Sequence, residues 1–178
     1  VILAITTGIS TWFSSMVFTG EYKIALEDNM FMIGQNLKQQ LDRLLTLGIA
    51  FEDIMGFEEQ CREITIRYKN VLFASVVNVN GDILFHSDPV QEKEVLEDPA
   101  LIAAIKANED AVVSFASNRE EYYGFIIALR DVFSRPLGSI LLWTPVNIVT
   151  RKTSLFVLYS VLISFAFFLI SFLVITFS

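Results

Sequence analysis

What most constrains this 178-residue chain is where its charges are missing. Residues 1–20 and 155–178 contain no Asp, Glu, Lys or Arg. All 20 acidic residues and 11 of the 13 basic ones fall between Glu21 and Arg135, and the other two, Arg151 and Lys152, stand just before the second uncharged run. About 20 apolar residues in helical form cross the ~30 Å hydrocarbon core of a bilayer. Residues 155–178, LFVLYSVLISFAFFLISFLVITFS, have that length with no charge, Pro or Gly, and Arg151 and Lys152 are placed to reach headgroups. The first run, VILAITTGISTWFSSMVFTG, holds more hydroxyls, which a spanning helix tolerates by bonding them to its own backbone or to a neighbouring helix. It has neither the basic start nor the small-residue cleavage site of a signal peptide. Because it starts at Val1 and stops inside an apolar run at each end, the chain is expected to be a fragment of a longer protein. The expected organisation is a transmembrane helix at 1–20, one domain at 21–150 and a second transmembrane helix at 151–178. That order puts the domain on one side of the bilayer and both ends on the other.

Between the apolar runs, up to Arg135, 11 basic residues face 20 acidic ones, a net charge of −9. The segment is long enough for one hydrophobic core. Its charge argues against nucleic acid or anionic headgroups as partners of the domain. Cys61 is the sole cysteine, so an internal disulfide or a cysteine-based metal site is excluded. Its spacing with Phe57, Ile64 and Tyr68 predicts a buried apolar role. His86 is the only histidine, and no HExxH, P-loop or Gly-rich dinucleotide motif is present. No catalytic residue, metal or cofactor is expected in this chain.

Helical periodicity continues past the first apolar run: Leu26, Met30, Ile33, Leu37, Leu41 and Leu44 step by three or four and line one face. With no Pro before Gly48, one helix of ~70 Å is predicted over 1–47. Its later half should pack on its own domain, and its membrane-proximal part against a second copy, making a homodimer. A loop, IAFEDIMG, leads to an amphipathic helix over 57–69. The period then changes from 3.6 to 2. FASVVNVNGDILFHSD reads as two strands about an Asn80-Gly81 turn, in which both central residues would take positive φ. Ser75 and Asn78 interrupt the first of these strands and should face opposite sides, one of them toward solvent. Residues 98–109 have an Asp cap, Pro in the first turn and an Ala/Leu/Ile interior, and so form a helix. Three further strands follow at 111–117, 121–131 and 135–146. The class is α+β: a five-stranded antiparallel sheet with a long N-terminal helix on one face.

The order VVNVNGDILFHSDP, a helix, then strands ending in LRDVFSRPLGSILL resembles the PAS-like extracytoplasmic sensor domains of the Cache family. Asp131 with Pro136, Leu137 and Gly138 matches that family's last hairpin, and LGIAFEDIMGFEE is similar to the segment preceding its sheet. The resemblance covers about 21–150. It implies a single Cache domain binding a small extracytoplasmic ligand, typically a carboxylate or amino acid, in a multi-pass receptor of the inner membrane. It also implies a cytoplasmic output module outside this chain: a histidine kinase of a two-component system, a chemotaxis receptor domain or a cyclic-dinucleotide enzyme.

The candidate ligand residues are polar groups at strand ends. His86, Ser87 and Asp88 end the second strand; His86 is read either as a ligand donor or as bonded to the local backbone, with Asp88 capping a turn. Arg119, Tyr122 and Tyr123 sit at the next hairpin, the two tyrosines on opposite faces. Arg130 and Asp131 close the fourth strand, Arg130 suiting either a bidentate carboxylate contact or an exposed salt bridge. The competing function is a dimerisation or protein-docking module without a small-molecule ligand.

Overall fold

A computed structural model describes residues 2–88, 96, 98–117, 120–131, 133–147, 158–163, 165–167, 169 and 176. The elements are α1 (Ile2–Thr46), a 3-10 turn (Phe51–Asp53), α2 (Phe57–Arg67), β1 (Phe73–Asn78), β2 (Ile83–His86), α3 (Pro99–Ala107), β3 (Ala111–Ser117), β4 (Glu120–Arg130) and β5 (Pro136–Pro145). They divide into two compact units, Val1–Leu26 with Asn147–Ser178, and Glu27–Val146. In the first unit, the expected span 1–20 is the start of α1, and most of 151–178 lies outside the described residues. Among the described residues no helix is both long and apolar enough to cross a membrane.

The second unit is built on the apolar stripe of α1. Met30, Ile33, Leu37 and Leu41 are at most 2% exposed, which the three- and four-residue spacing requires of one helix face. The helix stops where Gly48 turns left-handed at φ 83°, with the Gly48 N–H bonded to the Leu45 carbonyl. In α2, Phe57, Cys61 and Ile64 are buried, so the lone thiol has the core position its spacing predicted.

The five strands form one antiparallel sheet in the order β2-β1-β5-β4-β3, so the last strand lies between the first and the fourth. Pairing fixes the faces, because directly opposed residues point the same way. Ala74 and Val76, Ile140, Leu142 and Thr144, and Phe125, Ile127 and Leu129 face α1 and α2. On that side Thr144 Oγ1 donates to Met30 Sδ at 3.7 Å, and Phe31 meets Phe125 edge-on at 6.1 Å. The other face is covered by α3, whose Leu101 and Ile105 pack on Val77, Ile126, Leu141 and Trp143. The Asp98 carboxylate caps α3 by accepting from the Ala100 and Leu101 N–H groups, as the sequence predicted.

The first hairpin differs from its expected form. Asn80 does not take positive φ; only Gly81 does, at 93°. The loop has three residues, Val79, Asn80 and Gly81, closed by the Asn78 N–H donating to the Asp82 carbonyl. Asn78 decides this, because its side-chain Oδ1 accepts from the N–H groups of both Asn80 and Asp82. The two residues do lie on opposite faces, but neither is fully solvent-facing: Asn78, at the end of β1, is half-buried, and Ser75 is fully buried.

Candidate ligand site on the α3 face

On the α3 face, Ser75 stands opposite His86 on β2 and Leu141 on β5, Val77 opposite Ser139, and Phe73 opposite Trp143. Trp143 lies opposite Gly124, and Tyr122 opposite Phe115. With no side chain at Gly124, the rings of Phe115 and Trp143 meet over the sheet, 4.7 Å apart and nearly perpendicular. Tyr122 stacks on Phe115 at 5.7 Å, Phe73 meets Trp143 edge-on at 5.9 Å, and Phe73 lies 5.4 Å from the His86 ring. The result is an aromatic wall running from β2 to β3.

Within this apolar surface, Ser75 Oγ, Ser139 Oγ and Trp143 Nε1 are buried and find no hydrogen-bond partner among the described residues. Most buried side-chain polar atoms are bonded. Leaving one unsatisfied costs about 1–3 kcal/mol. Three such atoms on one face mark it as the candidate site.

The sequence-predicted residues divide sharply. His86 is 1% exposed and its ring lies on this face. Its Nδ1 lies 2.9 Å from the Asp88 amide nitrogen and 3.0 Å from the Asp88 carbonyl oxygen, so the ring is held by the local backbone. Asp88 therefore contributes its backbone to this contact. Ser87 Oγ accepts from the Ala74 N–H at 3.1 Å and its own N–H donates to the Ala74 carbonyl, extending the β1–β2 pairing. Tyr122 is buried on the α3 face and donates to Glu120 Oε2 at 3.0 Å. Burial, with the bond and charge of Glu120, holds its phenol above the ordinary value, so it stays a donor at neutral pH. Tyr123 faces the other way, opposite Ser114 and Thr144. Arg119 lies outside the described residues.

Arg130 and Asp131 have structural partners. Arg130 bonds Asn108 twice, through Nε to Oδ1 at 2.9 Å and through its terminal N–H to the carbonyl at 2.7 Å. Asp131 Oδ1 accepts from the Phe133 and Arg135 N–H groups, and Oδ2 accepts from Arg135 Nε at 2.7 Å. Burial pushes the Asp131 carboxyl up, but these bonds and the Arg135 charge outweigh it and hold the group below its ordinary range. Of the predicted set, then, His86 and Tyr122 are the side chains brought to the α3 face. Sequence reasoning misses Ser139 and Trp143 and reads Ser75 only as a break in a strand. The signal was a lone hydroxyl inside each of two otherwise apolar strands, FASVV and GSILLW.

The sequence matches no protein-family model and no curated protein. Solved structures do match. The sensor domain of DcuS from E. coli superposes with a TM-score of 0.59 at 12% identity, covering 73% of this chain and 96% of that one. The sensory domain of the Campylobacter jejuni chemoreceptor Tlp3, with isoleucine bound, gives 0.63 at 12% identity, covering 84% and 63%. The sensor domain of the V. cholerae histidine kinase DctB gives 0.59 at 8% identity, covering 85% and 60%. This chain therefore spans nearly all of the first but less than two thirds of the other two. Likeness at such identities establishes architecture. The chain shares the fold of these sensor domains, an α+β fold of the kind the sequence resemblance implied.

Proposed function

We propose that this chain is the sensory input region of a bacterial transmembrane receptor. Its domain lies outside the cytoplasm between two helices that cross the inner membrane, binds a small molecule on the α3 face and performs no catalysis itself. The output module, whether kinase, chemoreceptor domain or cyclic-dinucleotide enzyme, belongs to the rest of the protein, and α1 pairs with a second copy. The sensor domains of similar fold support the sensory role. The ligand reading rests on one observation: Ser75, Ser139 and Trp143 bury polar atoms together on one sheet face.

Two paths lead from that face toward the membrane. β5 runs through Pro145 toward the second apolar segment. The residues after α3 are tied to both sheet and α1: Asp110 accepts from the Ala128 N–H and from Gln35 Nε2, and Lys38 Nζ donates to the Ala128 carbonyl. A ligand acts through these ties only as far as it binds two arrangements with different affinity.

The test uses the full chain in detergent. Replacing both Ser75 and Ser139 with alanine is expected to raise thermal stability, by about 1–3 kcal/mol for each unsatisfied hydroxyl removed. The same substitutions should abolish the stabilisation by whichever metabolite in a broad screen stabilises the unaltered chain in a concentration-dependent way. A drop in stability would mean that the hydroxyls are satisfied core groups. The second reading, protein docking, has in its favour the exposed apolar loop residues Leu47, Met55 and Phe133, and predicts silence across the screen.

A further inference from the structure

We infer that Ile127 of β4, seated in the notch that Gly34 leaves in α1, locks the axial position of α1 on the sheet. Resting on the receptor reading, any movement that this part of α1 carries is then one of helix and sheet together, not a slide of the helix along the sheet. Gly34 is the sole glycine between Glu21 and Leu47, and a glycine inside a helix destabilises it relative to alanine. Its reason lies in the packing. A Cβ on Gly34 would stand 2.3 Å from Ile127 Cδ1 and 2.6 Å from Cγ1, so the isoleucine fills the space a side chain would take. Ile127 is fully buried, which leaves it little room to turn aside.

Contacts on either side of the notch keep step with it. One turn before Gly34, Phe31 meets Phe125 edge-on, and one turn after it, Lys38 Nζ donates to the Ala128 carbonyl at 2.7 Å. Phe31 to Lys38 is ~10 Å of helix rise, and Phe125 to Ala128 is ~10 Å of strand. Helix α1 therefore runs beside β4 in the same direction, with matched spacing. Ala128 lies two residues past Ile126, the last partner of β3, and its N–H goes instead to Asp110 Oδ1, whose other oxygen accepts from Gln35 Nε2 at 3.2 Å. Packed helices can shift past a neighbour by small slides or by a whole turn. Here either shift carries Ile127 off Gly34 toward Met30 or Lys38, which have side chains where Gly34 has none.

The experiment uses the full chain in nanodiscs, spin-labelled at Gln39→Cys and Phe133→Cys, both exposed, over the buried Cys61. Gln39 follows Lys38 on α1 and Phe133 lies in the turn beyond β4, so the distance between the labels reads a slide of helix along strand. One narrow distance is expected in the unaltered background. Ile127→Ala empties the notch and should broaden that distance or add a second, and Gly34→Ala should displace it. With both alanines only the Ile127 Cβ remains, 3.6 Å from the new methyl, an ordinary contact, and one narrow distance should return. Urea unfolding of the four chains should show the two substitutions coupled by at least about tenfold in the unfolding equilibrium constant. Where a single variant fails to fold, recovery of the fold in the double variant is the expected result, and no recovery overturns the lock. Distances unchanged in both single variants, or losses that simply add, overturn it as well. The receptor reading stands through any of these results, because it turns on the side of the membrane where the domain lies.

Discussion

Gly138→Ala is expected to destabilise the domain at 27–146 by about 3–5 kcal/mol, a large share of what a domain of this size has. Gly138 opposes Asn78 where β5 enters between β1 and β4. A Cβ at this position would sit 1.9 Å from the Val77 carbonyl oxygen and 2.9 Å from the Asn78 Cα, and backbone atoms cannot rotate away. The β1–β5 pair must therefore part, and the centre of the sheet parts with it. Gly124→Ala is the comparison. Its Cβ would meet the rim of the Phe115 ring at 3.0 Å, a side chain able to shift, so a loss below about 1.5 kcal/mol is expected. Urea unfolding followed by near-UV circular dichroism measures both. Equal midpoints for the two variants would show that the close approach at Gly138 is not what the structure describes.

The second large effect is expected at Asn108, a buried residue at φ 51° that ends α3 in the left-handed conformation. Its amide donates to the Leu129 and Gly138 carbonyls at 3.3 and 3.0 Å and its Oδ1 accepts from Arg130. Asn108→Ala removes these bonds and leaves a side chain strained by positive φ, for a loss of about 2–4 kcal/mol. Asn108→Gly relieves the backbone but not the bonds, and should recover about 1 kcal/mol of that loss. In the Asn108→Gly background, Arg130→Met should cost at least about 1 kcal/mol less than in the unaltered chain, because the two residues act as one unit. Additive losses, with Arg130→Met abolishing a ligand response at unchanged stability, would return Arg130 to the ligand-binding role read from the sequence.

The architecture was legible because its causes are local. The α1 stripe, the Asp98 cap with Pro99, the left-handed stop at Gly48 and the switch to a period of two each leave a mark within a few residues. The site was much less legible, because it is made by register. Ser75 and Ser139 are 64 positions apart and meet only because β5 inserts beside β1. Nothing in either strand announces its neighbour. The polar residues that stood out, Ser87, Arg130 and Asp131, did so because they sit at strand ends, where side chains finish ladders and brace turns. The Asn80-Gly81 pair misled for a related reason. Asn78, two residues earlier, offered the backbone a competing set of bonds and lengthened the loop.

The central claim is that the domain between the apolar runs is exported across the membrane. Met55 is 92% exposed and Cys61, the native thiol, is fully buried, so M55C introduces one reactive cysteine over a silent background. Treated with a membrane-impermeant maleimide in spheroplasts, the M55C chain should label as fast as it does after lysis. Labelling that appears only on lysis would place the domain in the cytoplasm and contradict the receptor account.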